Sequence, residues 1–171
     1  MPNTYVALNS FTVTTPVSSI SFNSIPQTYT DLVLVAQGRT TTAGGNSDII
    51  IGLNGDYSGI YSRLWTSTAS GSNSHVTGYN FNFGGMLTSY MTGGGAAANQ
   101  FSNDVTHIMN YANTTTFKPY ICKNLPGNGG TFFTVGQYNS RNAISSMTIT
   151  SLDSTNFATN TTFSLYGITA A

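Results

Sequence analysis

The chain has no glutamate and only two lysines, and charged residues fill 6% of its 171 positions. Ordinary soluble domains carry about 25%. Five acids, all aspartate (Asp31, Asp48, Asp56, Asp104, Asp153), balance five bases (Arg39, Arg63, Lys118, Lys123, Arg141), for a net charge of zero. A nucleic-acid surface needs a basic stripe that displaces counterions from phosphates. Five scattered bases do not supply one, so no nucleic-acid partner is expected. Strong helix formers are scarce and no 3.6-residue apolar pattern is sustained, so little or no helix is expected. Cysteine occurs once, at Cys122, which excludes an internal disulfide. Its neighbours Tyr120 and Ile121 are apolar, and a packed, unreactive thiol is expected. No run approaches the roughly 18 apolar residues of a membrane-spanning helix, and no membrane partner is expected. Met1-Pro2-Asn3-Thr4 has neither a basic region nor an apolar run, so synthesis in a cytoplasm without a signal peptide is expected.

The materials of catalysis are thin. Nothing in the spacing of the five aspartates pairs two of them for acid–base work. His75 and His107 lack partners at metal-ligand spacing. No Gly-x-Ser-x-Gly elbow occurs, and no lysine follows Gly93-Gly94-Gly95 as a phosphate cradle requires. Asn54-Gly55-Asp56 lacks the density of oxygen ligands found in calcium loops. No enzyme, cofactor or metal site is expected. His107 alternates with Val105 and Met109, as a half-buried, satisfied histidine would.

Ser, Thr and Asn fill the space left by charge, at 20, 27 and 18 residues. Ten Phe, ten Tyr and many β-branched residues argue against disorder and for pleated, half-buried surfaces. Period-2 alternation marks strands at Tyr5–Val13, Val17–Phe22, Asp31–Arg39, Asp48–Leu53, Tyr79–Phe83, Val105–Tyr111, Phe117–Lys123, Thr131–Tyr138, Ile144–Leu152 and Thr161–Thr169. Asp31–Arg39 reads as a strand buried on both faces through Leu32, Val33, Leu34, Val35 and Ala36. Asn54-Gly55 and the stretch from Pro126 to Gly130 read as turns. The expected fold is all-β: a single antiparallel β-sandwich over residues 1–171, jelly-roll-like, with about eight to ten strands. Residues 1–10 are a possible N-terminal arm. Thr66–Ser74 and Gly84–Asn99 read as long small-residue loops placed to meet a partner.

Strand edges pair with other chains unless charge, proline or a cover blocks them. A β-domain with so little charge is expected to be shielded by copies of itself, in a homotrimer or larger array. Tyr57, Tyr61, Trp65, Tyr79 and Tyr90 cluster around the loops, as core residues, interface residues or a sugar platform.

Four patches carry a resemblance. Ser24-Ile25-Pro26-Gln27-Thr28-Tyr29-Thr30-Asp31-Leu32-Val33-Leu34 is the first. Ile51-Gly52-Leu53-Asn54-Gly55-Asp56 with Tyr57-Ser58 is the second. Tyr111-Ala112-Asn113-Thr114 with Lys118, and the closing Phe163-Ser164-Leu165-Tyr166-Gly167-Ile168, complete the set. In this order the chain resembles the surface proteins of tailed-phage virions, including those of cyanophages. The resemblance implies a jelly-roll-like module on the outside of a virion. The chain's brevity favours a capsid cement (decoration) protein that binds the outer shell surface and stabilises contacts between capsomers. Its implied partners are itself and the major capsid protein. The alternative is a tail or fibre adhesin that binds host glycans through Tyr61, Trp65 and Tyr90. The expected interface residues are Met1, Pro2, Asn3, Thr4, Tyr5, Trp65, Tyr90 and Met91. The resemblance supplies no catalytic residues.

Overall fold

The computed structural model describes residues 4–68, 75–127 and 129–169. Twelve strands run along the described residues: β1 (Tyr5–Thr12), β2 (Ser19–Phe22), β3 (Asp31–Gly38), β4 (Asn46–Leu53), β5 (Tyr61–Thr68), β6 (His75–Phe83), β7 (Met86–Thr92), β8 (Ser102–Ile108), β9 (Lys118–Leu125), β10 (Thr131–Tyr138), β11 (Met147–Ser151) and β12 (Thr162–Ile168). No helix occurs among the described residues. The strands form two sheets in the orders β1-β12-β3-β8-β9-β10-β5-β6 and β2-β11-β4-β7. Every strand pair is antiparallel.

Two hairpins, β5–β6 and β9–β10, widen the first sheet beyond β8. Without them, eight strands remain in the orders β1-β12-β3-β8 and β2-β11-β4-β7, and the chain passes from one sheet to the other at every step except β4 to β7, which stays in the small sheet. That is the jelly-roll arrangement of two packed four-stranded sheets. The expected sandwich is therefore present, with twelve strands in place of eight to ten.

Of the two additional strands, β7 lies where small residues had read as loop, and β5 only ends there. β7 occupies Met86–Thr92, inside Gly84–Asn99, and Thr66–Thr68 closes β5. Residues 69–74 lie outside the described residues. Ser and Thr become strand when a partner offers a ladder, because strand preference is set largely by neighbours. β4 supplies that ladder for β7, and β10 for β5. Conversely, the β8 strand stops at Ile108, short of Tyr111. Asn110 turns the chain at a left-handed φ of 52°. The Asn54-Gly55 turn forms as read, with φ of 54° and 68° between bridged Leu53 and Asp56. Positive φ at both central residues is the signature of a type I′ turn.

The core lies between the sheets. Ile20, Phe22, Leu32, Leu34, Ile49, Ile51, Met147, Ile149, Phe163 and Leu165 are its alternating inward residues. Each Leu, Ile or Phe so buried contributes about 1.5–3 kcal/mol. Phe157 packs edge-on against Phe163, with ring centroids 4.9 Å apart.

Two of the five bases work inside this frame. Arg39 is 8% exposed. Its Nη1 donates to the Ala97 carbonyl at 2.7 Å, and its Nη2 to the carbonyls of Gly93 and Ala96, both at 3.1 Å. Buried Lys118 donates through Nζ to the carbonyls of Thr116 and Ser140 at 2.9 and 3.2 Å. The Gly93–Gly95 triplet has a steric cause. A Cβ at any of the three would collide with carbonyl oxygens of the segment Thr42–Gly44, along which this backbone runs. The triplet lets two backbones touch while its carbonyls turn to Arg39. Much of the expected partner loop is thus tied to its own domain.

Candidate functional site

The outward faces of the two sheets differ in character. The small sheet is polar outside: Ser19 and Ser21 of β2 sit beside Thr148 and Thr150 of β11. Alternation of apolar-in and polar-out is the usual state of an antiparallel sheet with one solvated face. The large sheet departs from it. One outward row runs across five strands as Val33, His107, Ile121, Val135 and Leu64. The next runs as Val35, Val105, Lys123, Phe133 and Thr66. Leu125 continues the apolar surface beside Asn103.

Much of this surface is open to solvent. Leu64 and Leu125 are each 56% exposed, Val105 42%, Phe133 41% and Val35 37%. Val33, at 5%, is the exception. It floors a groove of about 230 Å³ walled by Tyr5, Val105, His107, Ile121 and Lys123. The face therefore has relief. A depression lies over β3 and β8, and Phe133 and Leu64 stand out on β10 and β5.

Polar groups on this face are few and mostly engaged. His107 Nε2 lies 2.9 Å from Asp31 Oδ2, and Asp31 Oδ1 accepts from the Asn110 backbone N–H at 2.8 Å. This is the satisfied, half-buried histidine read from the sequence. Lys123 is exposed in the middle of the apolar rows.

The expected interface residues fall in different places. Met1, Pro2 and Asn3 lie outside the described residues. Thr4 is exposed. Tyr5 is 59% exposed, sits edge-on to Tyr166 at 6.5 Å and forms one wall of the groove. From Tyr5 onward the expected arm is strand β1, hydrogen-bonded to β12. Met91 is 2% exposed and belongs to the core, so it offers no surface to a partner. Its strand pairs with β4 and presents this side chain to the space between the sheets. Trp65 and Tyr90 are half-buried and meet through Phe132, at centroid distances of 6.3 and 4.5 Å.

Those aromatics close over a small polar site. Asp48, Arg63, Trp65, Tyr90 and Phe132 surround about 10 Å³ of free space. That is roughly room for one water. The Arg63 guanidinium stands 5.7 Å from the Trp65 ring centroid. Burial pushes the Asp48 carboxyl up, and Arg63 pulls it partly back. Burial likewise pushes the Arg63 guanidinium down. Tyr61, the third aromatic of the sugar-platform reading, is 1% exposed and stacked on Tyr138 at 4.9 Å. Its hydroxyl accepts from the Leu53 N–H and donates to the Asp56 carbonyl. Tyr61 is a core residue and does not face a ligand.

The remaining acids have local tasks. Asp56 Oδ1 accepts from the backbone N–H and hydroxyl of Ser58, which closes the turn after Asn54-Gly55. Asp153 accepts from the Ser47 hydroxyl at 2.7 Å. Buried Asp104 accepts from the Thr106 hydroxyl at 3.0 Å and lies 3.5 Å from Cys122 Sγ through both oxygens. Among the described residues, no three His, Cys, Asp or Glu side chains gather as a metal site would need.

No family model matches the chain, and no curated protein matches it. Among solved structures, it is similar to the galectin LEC-6 of Caenorhabditis elegans. The identity is 11% and the TM-score 0.36, over 95% of this chain and 96% of that one.

Sequence reasoning missed the outer face of the large sheet. The signal lay in strands apolar at both parities, above all Leu32-Val33-Leu34-Val35-Ala36. That pattern reads as burial on both sides within one chain. Here one side is buried, while on the other Val33 is 5% exposed and Val35 37%.

Proposed function

We propose that this chain is a structural component of a virion surface: a capsid cement protein that binds the outer shell and strengthens contacts between capsomers. The single observation behind the reading is the uncovered apolar face of the eight-stranded sheet. A monomer that worked alone in solution would expose that surface without return, whereas assembly surfaces are depleted in charge at their centres. The jelly-roll strand order agrees with the reading, since that architecture recurs in viral capsid domains. So do the four sequence patches that resemble phage virion proteins. Its partners are further copies of itself and the major capsid protein, and its place is the outer capsid surface. The trimer expected from the sequence is one closed form of such an assembly.

The adhesin alternative draws on Trp65 and Tyr90. Their recess with Asp48, Arg63 and Phe132 holds about 10 Å³, too little for a sugar ring without opening. Cement is the stronger reading.

The test is occupancy. The copy number per virion, from quantitative mass spectrometry, should match the symmetric positions of a shell, and adding the protein back to bare shells should raise the temperature at which they rupture. A copy number matching only the few positions of a tail, with no effect on rupture, would refute the cement reading. Deleting residues 1–10 is a poor probe, because it removes strand β1 from the sheet.

A further inference from the structure

We propose that the outer face of the eight-stranded sheet pairs with the same face of a second copy, so that Leu64 of each seats over the groove floored by Val33 on the other and Phe133 packs on the groove's Val105 wall. The proposal rests on the reading of this face as an assembly surface and names its occupant.

The argument is geometric. The apolar rows cross β3, β8, β9, β10 and β5 in that order, with β9 in the middle. A two-fold axis along β9 lays β10 of one copy over β8 of the other, and β5 over β3. Such an axis keeps each row aligned with itself. Leu64 shares a row with Val33, so the protruding leucine arrives over the floor of the groove. Phe133 shares a row with Val105 and arrives over the groove wall. A protrusion on one half of a face and a depression on the other half, at matching height along the strands, is the condition for an isologous contact. Stacked sheets cross at about 30°, which leaves contacts near the axis in place.

The area is sufficient. The axis along β9 overlaps seven strands, β12 to β6, and leaves β1 outside; seven strands about 4.8 Å apart, each seven to nine residues long at about 3.3 Å per residue, present roughly 850 Å². A stable protein–protein contact takes about 800 Å² from each partner.

Charge selects a second copy over a charged partner. The centre of the face holds one cation, Lys123, and the nearby Asp31 is paired with His107. A face so nearly neutral repels its own copy only at the axis, where the two Lys123 side chains meet. That single flaw gives the pairing a signature. Removing the charge strengthens a self-contact and weakens docking of an acidic partner.

Sedimentation of the full chain provides the test. Wild type should associate to a dimer, more tightly as salt rises. Leu64→Asp and Phe133→Asp should each weaken association at least tenfold with an unchanged circular dichroism spectrum, and Lys123→Met should tighten it severalfold. Mixing a Leu64→Cys variant with a Val33→Cys variant should yield the crosslinked pair under mild oxidation. Within one copy these positions sit four strands apart, about 19 Å, and cannot bridge. A chain that stays monomeric to its solubility limit overturns the pairing, as does a trimer, wild-type association by Leu64→Asp, or weaker association by Lys123→Met. Shell binding separates this result from the function. A monomer that still docks on shells sinks the pairing alone, and a dimer that ignores shells sinks the cement reading alone.

Discussion

Replacing Arg39 with methionine keeps most of the side chain's length and removes every donor. The guanidinium is held inside the domain, 8% exposed, and forks into the bend that carries Gly93 to Gln100. Three of its bonds are short, to Ala97, Gly93 and Ala96, while the contacts to Gly94 and Gln100 stretch to 3.4 and 3.5 Å. A hydrogen bond to a charged group contributes about 1.5–3 kcal/mol, so three set a gross figure of roughly 5–9 kcal/mol. Removing the charge also removes the cost of burying it, and water can reach some of the released carbonyls. The net loss should be about 3–5 kcal/mol, since each buried carbonyl left without a donor costs about 1–3 kcal/mol and some regain water. For a chain of this size that lowers Tm by roughly 10 °C. Urea unfolding followed by circular dichroism measures the loss. Hydrogen exchange at the amides of Gly93 and Gly95, which donate to Gly45 and Gly44, reports whether the bend opens locally. Arg39→Lys should recover less than half, because an ammonium cannot fork across carbonyls on one plane. A loss below about 1 kcal/mol in Arg39→Met, the range of ordinary surface substitutions, would refute the claim that this cation organises the bend.

Two further outcomes follow from buried polar groups. Burial raises the Asp48 carboxyl above its ordinary 3.8 despite the opposing Arg63, so the folded chain holds that proton more tightly than the unfolded chain. The group therefore costs stability at neutral pH, and the cost fades as pH falls through the folded value towards 3.8; Asp48→Asn should raise the urea midpoint at neutral pH and leave it unchanged in acid, and an equal effect at both would disprove the linkage. Cys122 is 1% exposed, so a thiol reagent should label it only as fast as the chain unfolds; rapid labelling in native buffer would contradict its placement.

The fold was legible where alternation met punctuation. Ile149 and Met147 with Thr148 and Thr150 read as a strand with one apolar face, and that is how β11 packs between β2 and β4. Asn54-Gly55 read as a turn because two adjacent residues tolerate positive φ. Strand β7 was not legible. Its residues follow Gly84-Gly85 and precede Gly93-Gly94-Gly95, and the ladder it joins belongs to β4, some forty residues upstream. The role of Arg39 was beyond reach for a different reason: its partners are backbone carbonyls, which leave no side-chain signature. The triple glycine was the visible half of that contact. The open face was half legible. Val33, Val35, Val105, Ile121 and Val135 announce a second apolar surface, but one chain's sequence does not say whether its own loops or another molecule covers it.

Where the ten charges sit argues most directly about the life of this molecule. Sheets usually guard their margins with lysine or other charges, since an open edge invites another strand. Here the four margin strands, β1 and β6 of the large sheet and β2 and β7 of the small one, contain no Lys, Arg, Asp or Glu. The charges on strands fall on interior members instead: Asp31 on β3, Asp48 on β4, Arg63 on β5, Asp104 on β8, Lys118 and Lys123 on β9. Several of them serve the chain's own fold, as Lys118 does for two carbonyls and Asp104 for its neighbouring hydroxyl. The distribution is the inverse of that expected for a solitary β-domain. A chain that keeps its strand charges on interior strands and leaves its margins uncharged and one broad face apolar stays soluble best when something else occupies them. Adding lysine to a margin strand would then cost an assembling protein its contacts, while a solitary protein would only gain solubility.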